Sequence, residues 1–344
     1  MRTTPESIYS VKGSAFQAIE LPNIHEVRGK DYMSFGAKNL FPQALIELYD
    51  TSAMHHTACD AITAGITGEG IDIIGEEYIN SKGETVDELF EKLSLDYVLY
   101  QGYAINVIWN KERTKISEMY HLPFANVRSG KPNEEDASQV FYFFGYTPGN
   151  TVYPLPAYVA AMNDISLDAQ VSRFHSNNIA NGLAPSMFVQ FRNGVPTPEE
   201  RRDVYKEIER TFTGTENAGR FFLAFSEAGK ELQVTPIDSA NDDYYLLLEE
   251  RITSRILTAH RITSPLLLGI KDSAGFSSNA EEIKVAYAHF EGVVVEPKRK
   301  KILSGYGYML RLAGYNIALN VEPNRLVEEP EVADVAPQSN IESL

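Results

Sequence analysis

Four groups of residues in this chain are of a type and spacing that chemistry could use. Gly65, Gly68 and Gly70 form a short glycine-rich stretch. It follows a helical pattern rather than a strand, so it reads as a helix-ending turn in preference to a phosphate cradle. His55 and His56 are adjacent. On a helix their side chains diverge by about 100°, which prevents comfortable chelation of one metal ion. Asp242, Asp243, Glu249 and Glu250 gather carboxylates along one helical segment. No His or Lys stands among them to complete an acid–base set, so they read as a solvated or channel-facing acidic stripe. Lys298-Arg299-Lys300-Lys301 is the one basic run. It could touch phosphate, and otherwise forms a solvated face pairing with acids.

Familiar catalytic signatures are missing. The Gly-Lys pairs at 29–30 and 229–230 continue into Asp31 and Glu231, so neither is a P-loop. H-E-x-x-H and G-x-S-x-G are also absent. No catalytic residue, metal ligand or cofactor is therefore assigned. Of the 344 residues 43% are hydrophobic, enough for a real core, and length alone suggests about two domains. Lys and Arg number 31 against 47 Asp and Glu, a net charge of −16. That balance counts against a protein that clings to nucleic acid. The single cysteine, Cys59, excludes an intramolecular disulfide framework and a cysteine-based zinc cluster. No stretch approaches the ~18–20 apolar residues of a membrane span, and the opening Met1-Arg-Thr-Thr-Pro-Glu lacks a signal-peptide layout. A soluble, intracellularly made protein without a membrane partner is expected.

The elements that must position these residues follow from the pattern. Residues 1–38 have little periodicity and read as an extended arm. One helix is expected from Asn39, with Pro42 in its first turn, to the glycines at 65–70. A second runs from Val86 to Leu99, burying Leu89, Phe90, Leu93 and Val98. Strands are expected at Tyr103–Trp109, Ile116–Leu122, Val140–Tyr146 and Thr151–Leu155. Helix returns over Pro156–Asn181, followed by a strand at Ala184–Arg192 and a turn at Asn193-Gly194. Thr197-Pro198-Glu199-Glu200 is a strong helix start. Phe221–Phe225 and Leu232–Pro236 suggest a hairpin around Gly229. A long helix covers Asn241–His260, and a Gly/Ser-rich interruption follows at Gly269–Ser278. The last helix, Asn279–Ala313, should break or bend at Pro297. Residues 322–344 hold six acids, one arginine and three prolines, and are expected to be disordered. The fold class is α+β, without internal repeats.

Several stretches resemble tailed-phage portal proteins of the capsid-connector superfamily. Gly102-Tyr103-Ala104, then Ile116 to Pro123, is similar to that family's "G-N-A-Y … L-x-P-L" stretch. Phe174, Gly182, Ala184 and Pro185 resemble the passage from a long helix into the distal module. Asn217-Ala218-Gly219-Arg220 resembles "N-A-G-[RK]". Ala259 to Gly269 is similar to "F-x-V-P-P-x-L-L-G", and Phe276-Ser277-Ser278-Asn279 to "Y-S-N-x-E". The resemblance covers about residues 35–313. Two positions depart from it: Tyr103 replaces the usual Asn, and Thr263-Ser264 the second proline-type position.

The resemblance implies a layout and a role. Residues 1–38 would be an N-terminal arm, 39–155 a helical/β wing, 156–182 and 239–262 two stem helices, and 183–238 a small α/β clip. Residues 263–280 would hold the tunnel loop, 281–321 a long kinked helix with a reduced crown, and 322–344 the acidic tail. Lys271, Asp272, Ser273, Phe276 and Ser277 would lie in the tunnel loop beside DNA. Asp242, Asp243, Glu249 and Glu250 would line the channel, with Arg251, Arg255, Lys298 and Arg299 at subunit interfaces. The implied assembly is a homo-oligomeric ring, commonly a dodecamer, at one capsid vertex of the virion, assembled in the host cytoplasm. Terminase, a head–tail adaptor and the major capsid protein or scaffold would be its partners. Double-stranded DNA would pass through without tight binding. Two other readings stand beside this one: another ring-forming head–tail connector, and an enzyme holding a phosphorylated ligand near Gly65–Gly70.

Overall fold

The computed structural model describes residues 32–36, 38–71, 78–130, 140–180, 187–191, 221–225, 242–270, 280–315 and 321–324. The chain divides into two compact units. One comprises Met1–Thr57, Arg128–Lys131 and Leu155–His260; the other comprises Ala58–Val127, Pro132–Pro154 and Arg261–Leu344. The described elements are mixed helix and strand, an α+β composition.

In the first unit, α1 (Phe41–Thr51) is followed at once by α2, whose full range is Ala53–Thr67. One continuous helix is expected from the sequence, but Ser52 divides it. Ser52 takes extended backbone angles, and its hydroxyl accepts from the His55 N–H at 3.3 Å while donating to Asp168 at 2.7 Å. A serine that can cap a helix competes with continuing one. α4 (Met162–Ala180) follows a 3₁₀ turn at Val159–Ala161, so the helix begins six residues later than Pro156. The partner of α4 is α5 (Asp242–His260), which matches expectation to within one residue. β4 (Met187–Phe191) and β5 (Phe221–Phe225) pair in parallel, Met187 opposite Phe221 and Phe191 opposite Phe225. Parallel pairing requires a crossover connection, not a tight turn. The described partner of β5 is therefore β4; the expected hairpin strand at 232–236, the Asn193-Gly194 turn and the Thr197 helix start lie outside the described residues. The end of the arm is ordered. Tyr32 bridges to Gly130, Phe35 is buried, and Arg128 binds the Asn39 carbonyl at 2.9 Å.

In the second unit, β1 (Gly102–Trp109) is the centre of an antiparallel sheet of order β2-β1-β3, with β2 at Ile116–Leu122 and β3 at Val140–Phe144. Ala104 faces Leu122 on one side and Tyr142 on the other. α3 (Val86–Tyr100) packs on β1. Its start is fixed by a capping box: Thr85 accepts from the Glu88 N–H and Glu88 accepts from the Thr85 N–H. The expected fourth strand at Thr151–Leu155 is an irregular bend instead. Pro154 and Pro156 remove two backbone donors there, and buried Tyr153 anchors the bend as a side chain.

The last helical stretch is α6 (Ala280–Phe290), a π turn (Glu291–Val295) and α7 (Glu296–Leu312). A break or bend at Pro297 is expected, and α7 continues through that residue. The irregularity lies one turn upstream, where the Glu296 N–H reaches back five residues to Glu291. With the ladder already widened, Pro297 falls in the first turn of α7, where its missing N–H costs little. α7 packs on α3, and Tyr306 donates to the Val86 carbonyl at 2.9 Å. Gly305 allows the closest approach to the sheet. A Cβ there would press on the Tyr103 hydroxyl and lie 2.8 Å from the Phe143 ring. Tyr103 is held by its own bond to the Ile302 carbonyl at 3.0 Å, so the neighbours have little room to retreat.

Gly305→Ala should therefore destabilise the protein by about 1–3 kcal/mol through overpacking. A lowered urea midpoint with unchanged slope would show it.

Candidate functional site

The acidic stripe lies on α5, and its geometry is set by the antiparallel pairing of α4 with α5. At one end Arg255 Nη1 meets Asp164 Oδ1 at 2.9 Å. Towards the other, His175 Nε2 lies 3.2 Å from a Glu249 carboxylate oxygen. Along the pairing Ile252, Ile256 and Leu257 of α5 are buried, as are Ile165 and Val171 of α4. The apolar stripe does not end where the covering ends. Leu246 sits 11 residues before Leu257, nearly the same face at 3.6 residues per turn, yet it is 59% exposed. Leu247 is 65% exposed, and Phe174, beside His175, is 43% exposed. Apolar side chains bared at the same end of a helix pair are the usual mark of a surface another protein covers.

The sequence-derived residues fall as follows. Asp242 and Asp243 form the first turn of α5, and Glu249 and Glu250 are exposed further along it. Arg251 is exposed on the same helix, and Arg255 is paired within its own chain to Asp164. Lys271, Asp272, Ser273, Phe276 and Ser277 lie outside the described residues. Lys298 is half-buried and Arg299 is buried, both on α7.

Arg299 is fully engaged inside the second unit. It donates to the Gly65 carbonyl, to the Ile66 carbonyl at 2.9 Å and to Glu291 Oε1 at 2.7 Å. Gly65 and Ile66 lie in the last turn of α2, whose carbonyls carry partial negative charge and lack helical partners. A guanidinium supplies fork geometry and charge together.

The glycine-rich stretch has no donors to spare for a phosphate. The N–H groups of Gly68 and Gly70 bond to Ala64 and Thr67, that of Glu69 bonds to Glu322, and that of Ile71 bonds to the Asp87 carboxylate at 2.8 Å. Gly70 also packs on Asp87, so a second anion would meet a carboxylate. Gly68 and Gly70 have φ of 53° and 96°, values that turn the chain away from α2.

Sequence reasoning missed a buried histidine pair in the first unit. His55 Nδ1 and His260 Nε2 are 2.9 Å apart, with the Tyr158 ring edge-on to His55 at 4.4 Å. Burial, then the neighbouring His260 and His56, push the His55 pKa down from 6.5 to about 3. One neutral ring donates and the other accepts. The adjacent pair at 55–56 does diverge as expected: His56 turns to the Tyr49 carbonyl at 3.1 Å. In the second unit, burial raises the Asp96 pKa against the opposing bonds from His121, at 2.7 Å, and the Phe124 N–H.

Comparison with known proteins adds three findings. The family model for "Phage portal protein" matches residues 81–322. A search of curated proteins returns no match. Among solved structures, the chain is similar to one in "Neck of native GTA particle computed with C12 symmetry", with TM-score 0.51 and 18% identity over 80% of this chain and 83% of that one. It is similar to one in "Neck of empty GTA particle computed with C6 symmetry", at TM-score 0.51 and 16% identity over 79% and 81%. "Virion of native gene transfer agent (GTA) particle" matches at TM-score 0.51 and 17% identity over 79% and 81%. At these identities the likeness is one of fold.

Two outcomes follow. Because the native state resists a proton on His55 that the unfolded chain accepts, stability should fall as pH drops from 6.5 towards about 3. One such proton gives a slope of up to about 1.4 kcal/mol per pH unit. His55→Gln should flatten this dependence in urea titrations across that window. Arg299→Met should cost about 3–5 kcal/mol by orphaning Glu291 and two carbonyls, with Arg299→Lys recovering only part of the loss.

Proposed function

The chain belongs to the phage portal protein family, and on that premise we propose that it closes into a ring at one capsid vertex. The ring's hole would be the channel for DNA packaging and ejection. The observation that carries the reading is the family match over residues 81–322, most of the chain. The neck particles to which the fold is similar were computed with C12 and C6 symmetry, which supports a ring of twelve for this chain too.

In this reading α4 and α5 are the stem, and residues 183–238, including the β4–β5 pair, are the clip facing terminase and later a head–tail adaptor. Residues 39–155 form the wing and 281–321 the long helix with a reduced crown. Phe174, Leu246 and Leu247 are covered by the next subunit around the ring, with Arg251 available for pairing across that boundary. Asp242, Asp243, Glu249 and Glu250 face the channel. A net charge of −16 per chain, repeated around a ring, repels phosphate and keeps a duplex sliding. Lys271, on the loop with Asp272, Ser273, Phe276 and Ser277, would touch phosphate in passing. No catalytic residue is assigned, since the portal family is structural. The phosphorylated-ligand reading is disfavoured by the occupied donors of residues 68–71 and the carboxylate of Asp87.

Negative-stain microscopy with light scattering on the purified chain tests the reading. Rings with a central hole wide enough for a duplex are expected. Leu246→Asp with Leu247→Asp should reduce them to monomers while leaving the circular dichroism spectrum unchanged. A parent chain that stays monomeric at every concentration would count against the ring, and intact rings from the double variant would move the interface elsewhere.

A further inference from the structure

Within this acidic chain α7 carries a concentration of positive charge that the described acids answer only in part. Lys298 and Lys301 are three residues apart and share a rim of the helix. Lys298 is half-buried, and among the described residues its ammonium donates to the Val294 carbonyl, at 3.4 Å. Burial, then like charge from Arg261 and Lys301, pushes its pKa down to about 8. The other basic residues of the run are satisfied: Arg299 by Glu291 and Lys300 by Glu296 at 2.5 Å. Among the described residues no acid pairs with Arg261, Lys298 or Lys301. Lys298 is the half-buried member, with Arg261 and Lys301 exposed beside it; a half-buried ammonium flanked by like charges is favoured when an anion joins it.

The described C-terminal segment ends close by. Val321 pairs with Ile71, the Asn324 amide donates to the Ala64 carbonyl at 3.0 Å, and Tyr287 donates to the Asn324 carbonyl at 2.8 Å. Ala64 directly precedes the two carbonyls that Arg299 grips, and Arg299 adjoins Lys298 in sequence. The expectation of disorder from residue 322 onward thus fails for 322–324, which are bonded into the unit. Four residues beyond Asn324 the sequence turns acidic, with Glu328, Glu329, Glu331 and Asp334. An extended chain of four residues reaches about 13 Å and one of ten about 33 Å. The acids are therefore within range of the cluster.

We propose that the acidic segment around Glu328–Asp334 docks on the Arg261–Lys298–Lys301 cluster of the same chain. The contact is electrostatic, so it weakens as salt shortens the screening length. Docking would leave no free cation there for a passing duplex. The inference concerns one chain and stands whether or not rings form.

The test is zero-length carbodiimide cross-linking of the full chain, read by mass spectrometry. Amide bonds from Lys298 or Lys301 to Glu328, Glu329, Glu331 or Asp334 are expected at low salt, falling at least fivefold in 1 M NaCl. The triple variant Glu328→Gln, Glu329→Gln, Glu331→Gln changes only the acidic segment and should remove most of these products. Cross-links from both lysines only to other acids, or none at all, would overturn the proposal. So would products indifferent to salt. Mixing isotope-labelled and unlabelled chains identifies the donor: mixed-label products would overturn same-chain docking and assign the cluster to a second copy.

Discussion

A guanidinium removed from water is stable only if its N–H donors find acceptors, and Arg299 meets that condition with two backbone carbonyls and one carboxylate. The arrangement of the second unit depends on it. The carbonyls belong to the last turn of α2, the carboxylate to the first residue of the π turn, and the arginine itself to α7. Two stretches more than two hundred residues apart in sequence, the end of α2 and the π turn with α7, thus meet at one side chain. Val295 and Phe290 pack against Gly65 beside it, where no side chain could be accommodated. The π turn has a function in this setting: it places Glu291 beside the guanidinium and takes up the disturbance that Pro297 would otherwise bring to the helix interior.

The first unit is organised by a different constraint. α4 and α5 bury their aliphatic residues against each other over part of their length, with the Arg255–Asp164 ion pair near one end and the His175–Glu249 contact towards the other. Past the covered portion the apolar stripe continues into solvent at Leu246, Leu247 and Phe174. Among the described residues nothing further covers it. The proposed ring answers the mismatch, because a repeating subunit supplies the same partner surface to every copy.

Elements governed by local signals were legible. β2 and the start of α3 fall where alternation and helical spacing place them, and α5 begins one residue away. Elements governed by competition between neighbours were not. Ser52 could continue a helix or cap one, and the bond to Asp168, over a hundred residues away, favours the cap. The strands at 187–191 and 221–225 were both visible as strands, but their parallel pairing was not, since strand propensity says nothing of direction. The basic run 298–301 looked uniform, yet one side chain is a buried staple, one is bonded to its own helix, and two remain with Arg261.

By itself the sequence determined the α+β class, the acidic balance, the positions of most helices and strands, and the family likeness, because these rest on composition, periodicity and residue order along the chain. Only the tertiary structure decided which donors and charges are already used. The glycines at 65–70 became a closed turn because Glu322 and Asp87 occupy their amides. His55 became a neutral core residue because His260 and Tyr158 close around it. Among the described residues Lys298 pairs with no acid. A charge or a donor has the same symbol in a sequence whether it is spent or free, and distance alone, set by packing between remote segments, makes the difference.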